Sequence, residues 1–238
     1  MRNSETRVMT GIAGLDALAQ GGFPKNSVNL VSGPAGSGKT LLATQFFFNG
    51  AKDNGDTGLY LVLEENRENI IRAMKNFQMD LGELENQGRL FLIDLGEIRT
   101  DQSHGVVGFR EIMDFLESFI DRTRPKRLVL DSLPVVGLYY RNVDEFREEL
   151  FTFSRYLRQR DLTSLLISES LENQGLTRFG VEQFVADSFI VLGLEEVRGE
   201  LRRTITVRKM RFTKHDTAKH PFLITPRGIE VMSEEKVV

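Results

Sequence analysis

Apolar residues along this chain gather into short blocks, and between the blocks they recur every three or four positions. Val28-Asn29-Leu30-Val31-Ser32, Gly58–Leu63, Leu90–Asp94, Arg127–Asp131 and Ser164–Glu169 are apolar on both faces and short, the pattern of strands inside a parallel sheet. Between them, 39–51 and 66–77 repeat at helical spacing, the latter through Ile70, Ile71, Met74 and Phe77, and a short acidic helix is predicted near 80–87. Helix 109–122 aligns Ile112, Phe115, Leu116 and Phe119 on one stripe, and helix 143–159 aligns Phe146, Leu150, Phe153 and Leu157. Loops are expected at Ser132-Leu133-Pro134, 95–107 and 172–180. Strand and helix alternate, so the prediction is an α/β fold with a mainly parallel central sheet flanked by helices.

The pattern changes after residue 187. Ser188–Leu192 and Thr204–Val207 read as an antiparallel hairpin joined through Arg198-Gly199-Glu200, with Phe222–Thr225 and Gly228–Val231 closing the sheet edge as a C-terminal extension. No linker and no internal repeat interrupts the chain, so a single domain is expected over 10–232, with flexible polar ends at 1–9 and 233–238.

One junction carries a motif. After the block 28–32 comes Gly33-Pro34-Ala35-Gly36-Ser37-Gly38-Lys39-Thr40, followed by the helical run from Leu41. It fits G-x-x-x-x-G-K-[ST], a loop whose backbone N–H groups cradle phosphates at a helix N-terminus. Pro34, Ala35, Gly36, Ser37, Gly38, Lys39, Thr40 and Leu41 are therefore the expected nucleotide-binding residues. Lys39 would reach the β/γ-phosphates and the Thr40 hydroxyl would ligate Mg²⁺. Asp131 ends a strand, where an aspartate beside the loop threonine supports the metal, although an aspartate capping a loop is also common. Glu64 and Glu65 follow the next strand, and one of them would orient or deprotonate the attacking water. Adjacent strand residues face opposite ways, so both cannot do the same job; Glu64 is favoured, with Glu65 close behind.

The segment Arg202–Arg211 is basic and alternating. It reads equally as a charged edge strand that resists aggregation and as a hairpin that delivers Lys209 and Arg211 to a neighbouring subunit's nucleotide.

Composition narrows the remaining classes. Within 238 residues, no cysteine is present and the three histidines, His104, His215 and His220, are scattered, which excludes disulfides and thiolate-bound metal. A formal net charge of -3 argues against a generally basic nucleic-acid binder. No apolar run is long enough to span a bilayer and the first residues lack a signal-peptide core, so a cytoplasmic protein with no membrane partner is expected.

From about Thr10 to Val231 the chain resembles a single KaiC-type domain of the RecA superfamily. The likeness rests on Gly11-Ile12 with Gly14-Leu15-Asp16, Gly21-Gly22-Phe23-Pro24, the phosphate loop, Leu63-Glu64-Glu65, Leu130-Asp131-Ser132, Arg178–Asp187, and Lys209-Met210-Arg211 with His215. The resemblance implies a RecA-like P-loop core and ATP held at the subunit interfaces of a homo-oligomeric ring, usually hexameric. It further implies that Lys209 and Arg211 act in trans on the γ-phosphate, with His215 near the same nucleotide. The clock members of that family carry two such domains and this chain has room for one. Their phosphorylated serine–threonine pair aligns with Gln183-Phe184, which have no hydroxyl, so plain ATPase is expected rather than autokinase. Phe212 stands where glycine is common in the family. Two alternatives accompany this reading. One is a repair accessory ATPase of the recombinase-paralogue kind on single-stranded DNA, disfavoured because the loops at 95–107 and 172–180 offer chiefly Arg99 and Arg178. The other is a nucleotide-gated scaffold for a protein partner.

Overall fold

The computed structural model describes residues 6–95, 108–171, 175–197 and 199–237. A small ribbon of β1 (Arg7–Val8) and β2 (Phe23–Pro24) brackets the short helix α1 (Leu15–Leu18). The five anticipated parallel strands follow as β3 (Val28–Ser32), β4 (Gly58–Val62), β5 (Leu90–Asp94), β6 (Arg127–Asp131) and β7 (Thr163–Ile167). Between them lie α2 (Lys39–Asp53), α3 (Arg67–Lys75), α4 (Leu81–Asn86), α5 (Phe109–Thr123), α6 (Leu133–Gly137) and α7 (Val143–Gln159). A single turn, α8 (Glu182–Val185), then leads into β8 (Ser188–Val197), β9 (Glu200–Met210), β10 (Lys219–Thr225) and β11 (Gly228–Val231).

These strands form one nine-stranded sheet in the order β11-β10-β9-β8-β3-β7-β6-β4-β5. The strands from β8 to β5 in that order are parallel, while β9, β10 and β11 add on antiparallel. Successive side chains alternate between faces. Leu59, Leu61, Leu128 and Leu130 pack under α5 and α7, whereas Tyr60, Val62 and Val129 pack under α2, α3 and α4. Both faces are thus buried, as continuous apolar strands require.

Several boundaries depart from the pattern. Ser132-Leu133-Pro134 enters a helical turn, α6, because Pro134 occupies its first positions, where no N–H is needed. The hairpin strands are about twice as long as expected, since their outer halves form a solvated ribbon in which Glu195 faces Arg202 across the ladder. That ribbon presents no apolar block to count. Strands β4 and β7 stop before Leu63 and Ser168, leaving Glu64, Glu65 and Glu169 on the connections beyond them. Residues 96–107 of the first expected loop, and 172–174 of the second, lie outside the described residues.

Helix α2 is locked from below by a buried cation. Arg127, 1 % exposed, donates from Nε to Asp56 at 2.8 Å and from Nη1 to the Phe46 carbonyl at 2.9 Å, with its guanidinium 4.6 Å from the Phe46 ring centroid. Gly50 of α2 lies directly against that guanidinium, and a Cβ there would overlap it. Gly50→Ala should therefore destabilise the protein by about 1–3 kcal/mol despite alanine's better helix propensity. The urea midpoint measures this, and an unchanged or raised midpoint would show that Arg127 moves aside freely.

Candidate nucleotide site

Parallel strands aim their C-terminal ends at one edge of the sheet, where the connecting loops diverge and ligands bind. Adjacent strands β3, β7, β6 and β4 deliver there, in that order, the phosphate loop, Glu169, Asp131 and Glu64. Gly36 and Gly38 adopt φ of 75° and 98°, left-handed values that fit glycine, and the space a Cβ would take at Gly36 is open. Helix α2 begins at Gly38 with no side-chain cap and no acidic residue in its first turn. Its leading N–H groups and positive dipole end therefore face the loop's concavity uncompensated, and Ser37 Oγ is buried nearby without a hydrogen-bond partner. These features fit a phosphate group.

Lys39 folds back over the loop, donating to the Gly33 and Pro34 carbonyls at 2.9 and 3.0 Å. Burial lowers its pKa, and the nearby carboxylates Glu169, Asp131 and Glu64 oppose that shift. Thr40 Oγ1 donates to Asp131 Oδ2 at 2.9 Å, and Tyr60 donates to the same oxygen at 2.8 Å. Burial raises the Asp131 pKa against the pull of these two hydrogen bonds. Among the described residues no group of three or more His, Cys, Asp or Glu forms a metal cage. One threonine hydroxyl and one carboxylate nevertheless suit Mg²⁺, which keeps several waters and takes its other ligands from phosphate.

The two glutamates separate by role. Glu64 Oε2 accepts from Ser132 Oγ at 2.8 Å, beside Asp131. Glu65 turns to the start of α3, accepting from Asn66 N and Asn69 Nδ2, both at 3.0 Å, and those bonds lower its pKa.

Lys209 and Arg211 occupy the opposite edge. Met210 pairs with Ser188, which pairs with Asn29 near the start of β3. Arg211 N donates to the Asp187 carbonyl and Nη1 to Asp187 Oδ1 at 3.2 Å, while Asp187 Oδ2 accepts from Val28 N and Arg158 Nε. Lys209 Nζ donates to the Gln183 and Ala186 carbonyls at 3.0 and 2.6 Å. Five residues of β3 at about 3.3 Å each place Arg211 about 16 Å from the start of the same chain's phosphate loop, and Lys209, at the level of Leu30, turns its Nζ toward the same far edge at the Ala186 carbonyl. His215 Nδ1 lies 3.1 Å from the Thr213 carbonyl, and its Nε2 is buried without a partner. Phe212, at a φ of 56°, is fully exposed.

Residues 8–236 match the model of the KaiC ATPase family. The chain belongs to that family. It is 35% identical over 238 residues to a UPF0273 protein of Thermotoga maritima, covering 96% of this chain and 97% of that one. It is 34% identical to the circadian clock oscillator protein KaiC of Synechococcus elongatus, covering 94% of this chain but 44% of the clock protein. The chain thus spans less than half the length of that relative. A KaiC-like protein of Pyrococcus horikoshii superposes with a TM-score of 0.83 at 34% identity, over 94% of this chain and 98% of that structure. The RecA-like, ATP-binding core anticipated from the motifs is therefore the fold of this KaiC-family domain.

Three further polar residues take places that the sequence reading did not assign them individually, although Glu182 lies within the family-like stretch Arg178–Asp187 and Arg203 within the basic segment Arg202–Arg211. Glu169 looked like the end of a strand; only the position of β7 beside β3 sets it near Lys39. Arg203 of β9 crosses to the phosphate loop and donates to the Gly36 carbonyl at 3.3 Å. Glu182, 1 % exposed, accepts from Ser168 Oγ at 2.9 Å, Phe179 N at 3.2 Å and Val181 N at 3.1 Å, tying the loop before α8 to the end of β7. Glu182→Ala strands those donors and should cost on the order of 3 kcal/mol, with Glu182→Gln milder because it keeps one acceptor oxygen. Chemical denaturation distinguishes this from a surface carboxylate, whose removal would leave the midpoint in place.

Proposed function

We propose that this KaiC-family domain is a Mg²⁺-dependent ATPase that works as a homo-oligomeric ring, hexameric by family resemblance, with each nucleotide held between two subunits. The carrying observation is the separation of the two halves of the site. The phosphate loop, Asp131 and Glu64 share one edge of the sheet, while Arg211 sits about 16 Å away and Lys209 turns toward the same far edge. A closed ring brings one subunit's far edge to the next subunit's loop.

In this reading the N–H groups of Gly36–Leu41 cradle the phosphates, and Lys39 leaves its loop carbonyls to neutralise the β/γ charge. Thr40 and Asp131 would hold the metal, which would supply positive charge against the phosphates. Glu64, steadied by Ser132, orients the attacking water and takes its proton. Glu65 is occupied at the α3 cap, so Glu64 is the better base. From the neighbour, Lys209 and Arg211 stabilise negative charge in the transition state, and His215 lies beside the same nucleotide. The Arg211 face supports contact with a second copy. It bears a cavity of about 630 Å³ lined by Arg147, Phe151, Arg158, Phe184 and Arg211, with Phe151 and Phe184 largely exposed.

Two experiments test this. Glu64→Gln should bind ATP normally yet hydrolyse it 10²–10⁴-fold more slowly, on the order expected for loss of a general base, with Glu65→Gln far closer to wild type. Equal losses in the two variants would remove the assignment. Lys39→Ala and Arg211→Ala should each be inactive alone, yet an equimolar mixture should regain about a quarter of wild-type turnover, because random neighbours rebuild that share of complete interfaces. No recovery in demonstrably mixed assemblies contradicts action in trans.

A further inference from the structure

We infer that Tyr60 is a positioning residue for the metal site, its phenol holding Asp131 in the orientation that presents the free carboxylate oxygen to Mg²⁺. This inference rests on the assignment of Asp131 and Thr40 to the metal. Tyr60 lies on β4 opposite Val129 of β6, and Val62 lies opposite Asp131. Alternation therefore sets Tyr60 and Asp131 on the same face of the sheet, under α2. The ring is fully buried and meets Phe47 of α2 edge-on at 5.4 Å, so the phenol is held by packing.

The hydroxyl donates to Asp131 Oδ2 at 2.8 Å, the oxygen that also accepts from Thr40 at 2.9 Å. Among the described residues no hydrogen bond reaches Oδ1. The two donors are not equivalent. Thr40 sits on the first turn beside the phosphate loop, and while its proton goes to Asp131 its lone pairs remain to ligate a cation. The Tyr60 hydroxyl also meets Thr44 of α2, and its ring is packed against Phe47. It therefore fixes one oxygen of a carboxylate whose other oxygen is left to the metal or its water. A buried phenol needs a partner, and a phenylalanine would fill the same space without that need. The hydroxyl at position 60 is thus placed for Asp131 rather than for packing. Partners that orient metal-ligating groups typically govern metal affinity as strongly as this geometry suggests.

The test uses Mn²⁺ as the probe on the full chain. Its affinity for the protein·ADP complex is read by electron paramagnetic resonance, ADP affinity in EDTA is measured separately, and a thermal melt checks the fold. Tyr60→Phe should weaken Mn²⁺ binding roughly 10–100-fold while metal-free ADP affinity and the melt hold. Wild-type Mn²⁺ affinity in Tyr60→Phe overturns the inference, as does an equal loss of ADP affinity in EDTA, which would mark a general packing role. Asp131→Asn separates the two levels. If Asp131→Asn also leaves Mn²⁺ affinity intact, the metal assignment itself fails; if only Tyr60→Phe does, the assignment stands and the positioning role falls.

Discussion

Strand β3 sets the distance between the phosphate loop and Arg211. Its end at Ser32 opens into the phosphate loop, and its start at Val28 is bonded to Asp187, the residue that holds Arg211. Strand β3 lies inside a nine-stranded sheet, bonded to β7 on one side and β8 on the other, which fixes its extended length. Hence the chain's own Arg211 lies at the far end of β3 from its own phosphate loop, the separation on which the proposed sharing of the site between copies rests. Strand β9 spans the same interval in the opposite direction, with Arg203 at the phosphate-loop edge and Arg211 at the far one.

Around that fixed interval the site is assembled from connections held by buried polar groups. Asp131 gathers Thr40 from α2 and Tyr60 from β4 onto one oxygen, joining the phosphate-loop helix to two strands. Glu182 ties the loop before α8 to Ser168, next to Glu169. Arg127 holds α2 at its other end. Each of these groups is buried and hydrogen-bonded to at least one other element of the fold, an arrangement that low local dielectric strengthens.

Much of this was legible in the sequence, and the part that was not has a physical cause. The five parallel strands, their helices and the phosphate loop are local patterns, since period and glycine spacing are set by neighbouring residues. The placement of Asp131 and Glu64 at strand ends is legible because a strand end is itself a local feature. In the sequence Tyr60 is one more apolar strand position, since its hydroxyl meets Asp131 only through the register of β4 on β6. Glu169 depends on the neighbour order of β7 and β3, and Glu182 on a contact with Ser168, fourteen positions away. The hairpin was underestimated because its outer half is paired by backbone bonds without burying a stripe, and α6 because Pro134 reads as a breaker although it suits a first turn.

A site shared between subunits, as proposed, would have a direct kinetic signature. The most telling measurement is the specific ATPase rate as a function of protein concentration, with the assembly state followed by sedimentation in the same Mg·ATP buffer. Turnover per chain should rise in step with the assembled fraction and vanish in the monomer. A rate per chain that stays constant down to fully monomeric protein would contradict a site shared between subunits.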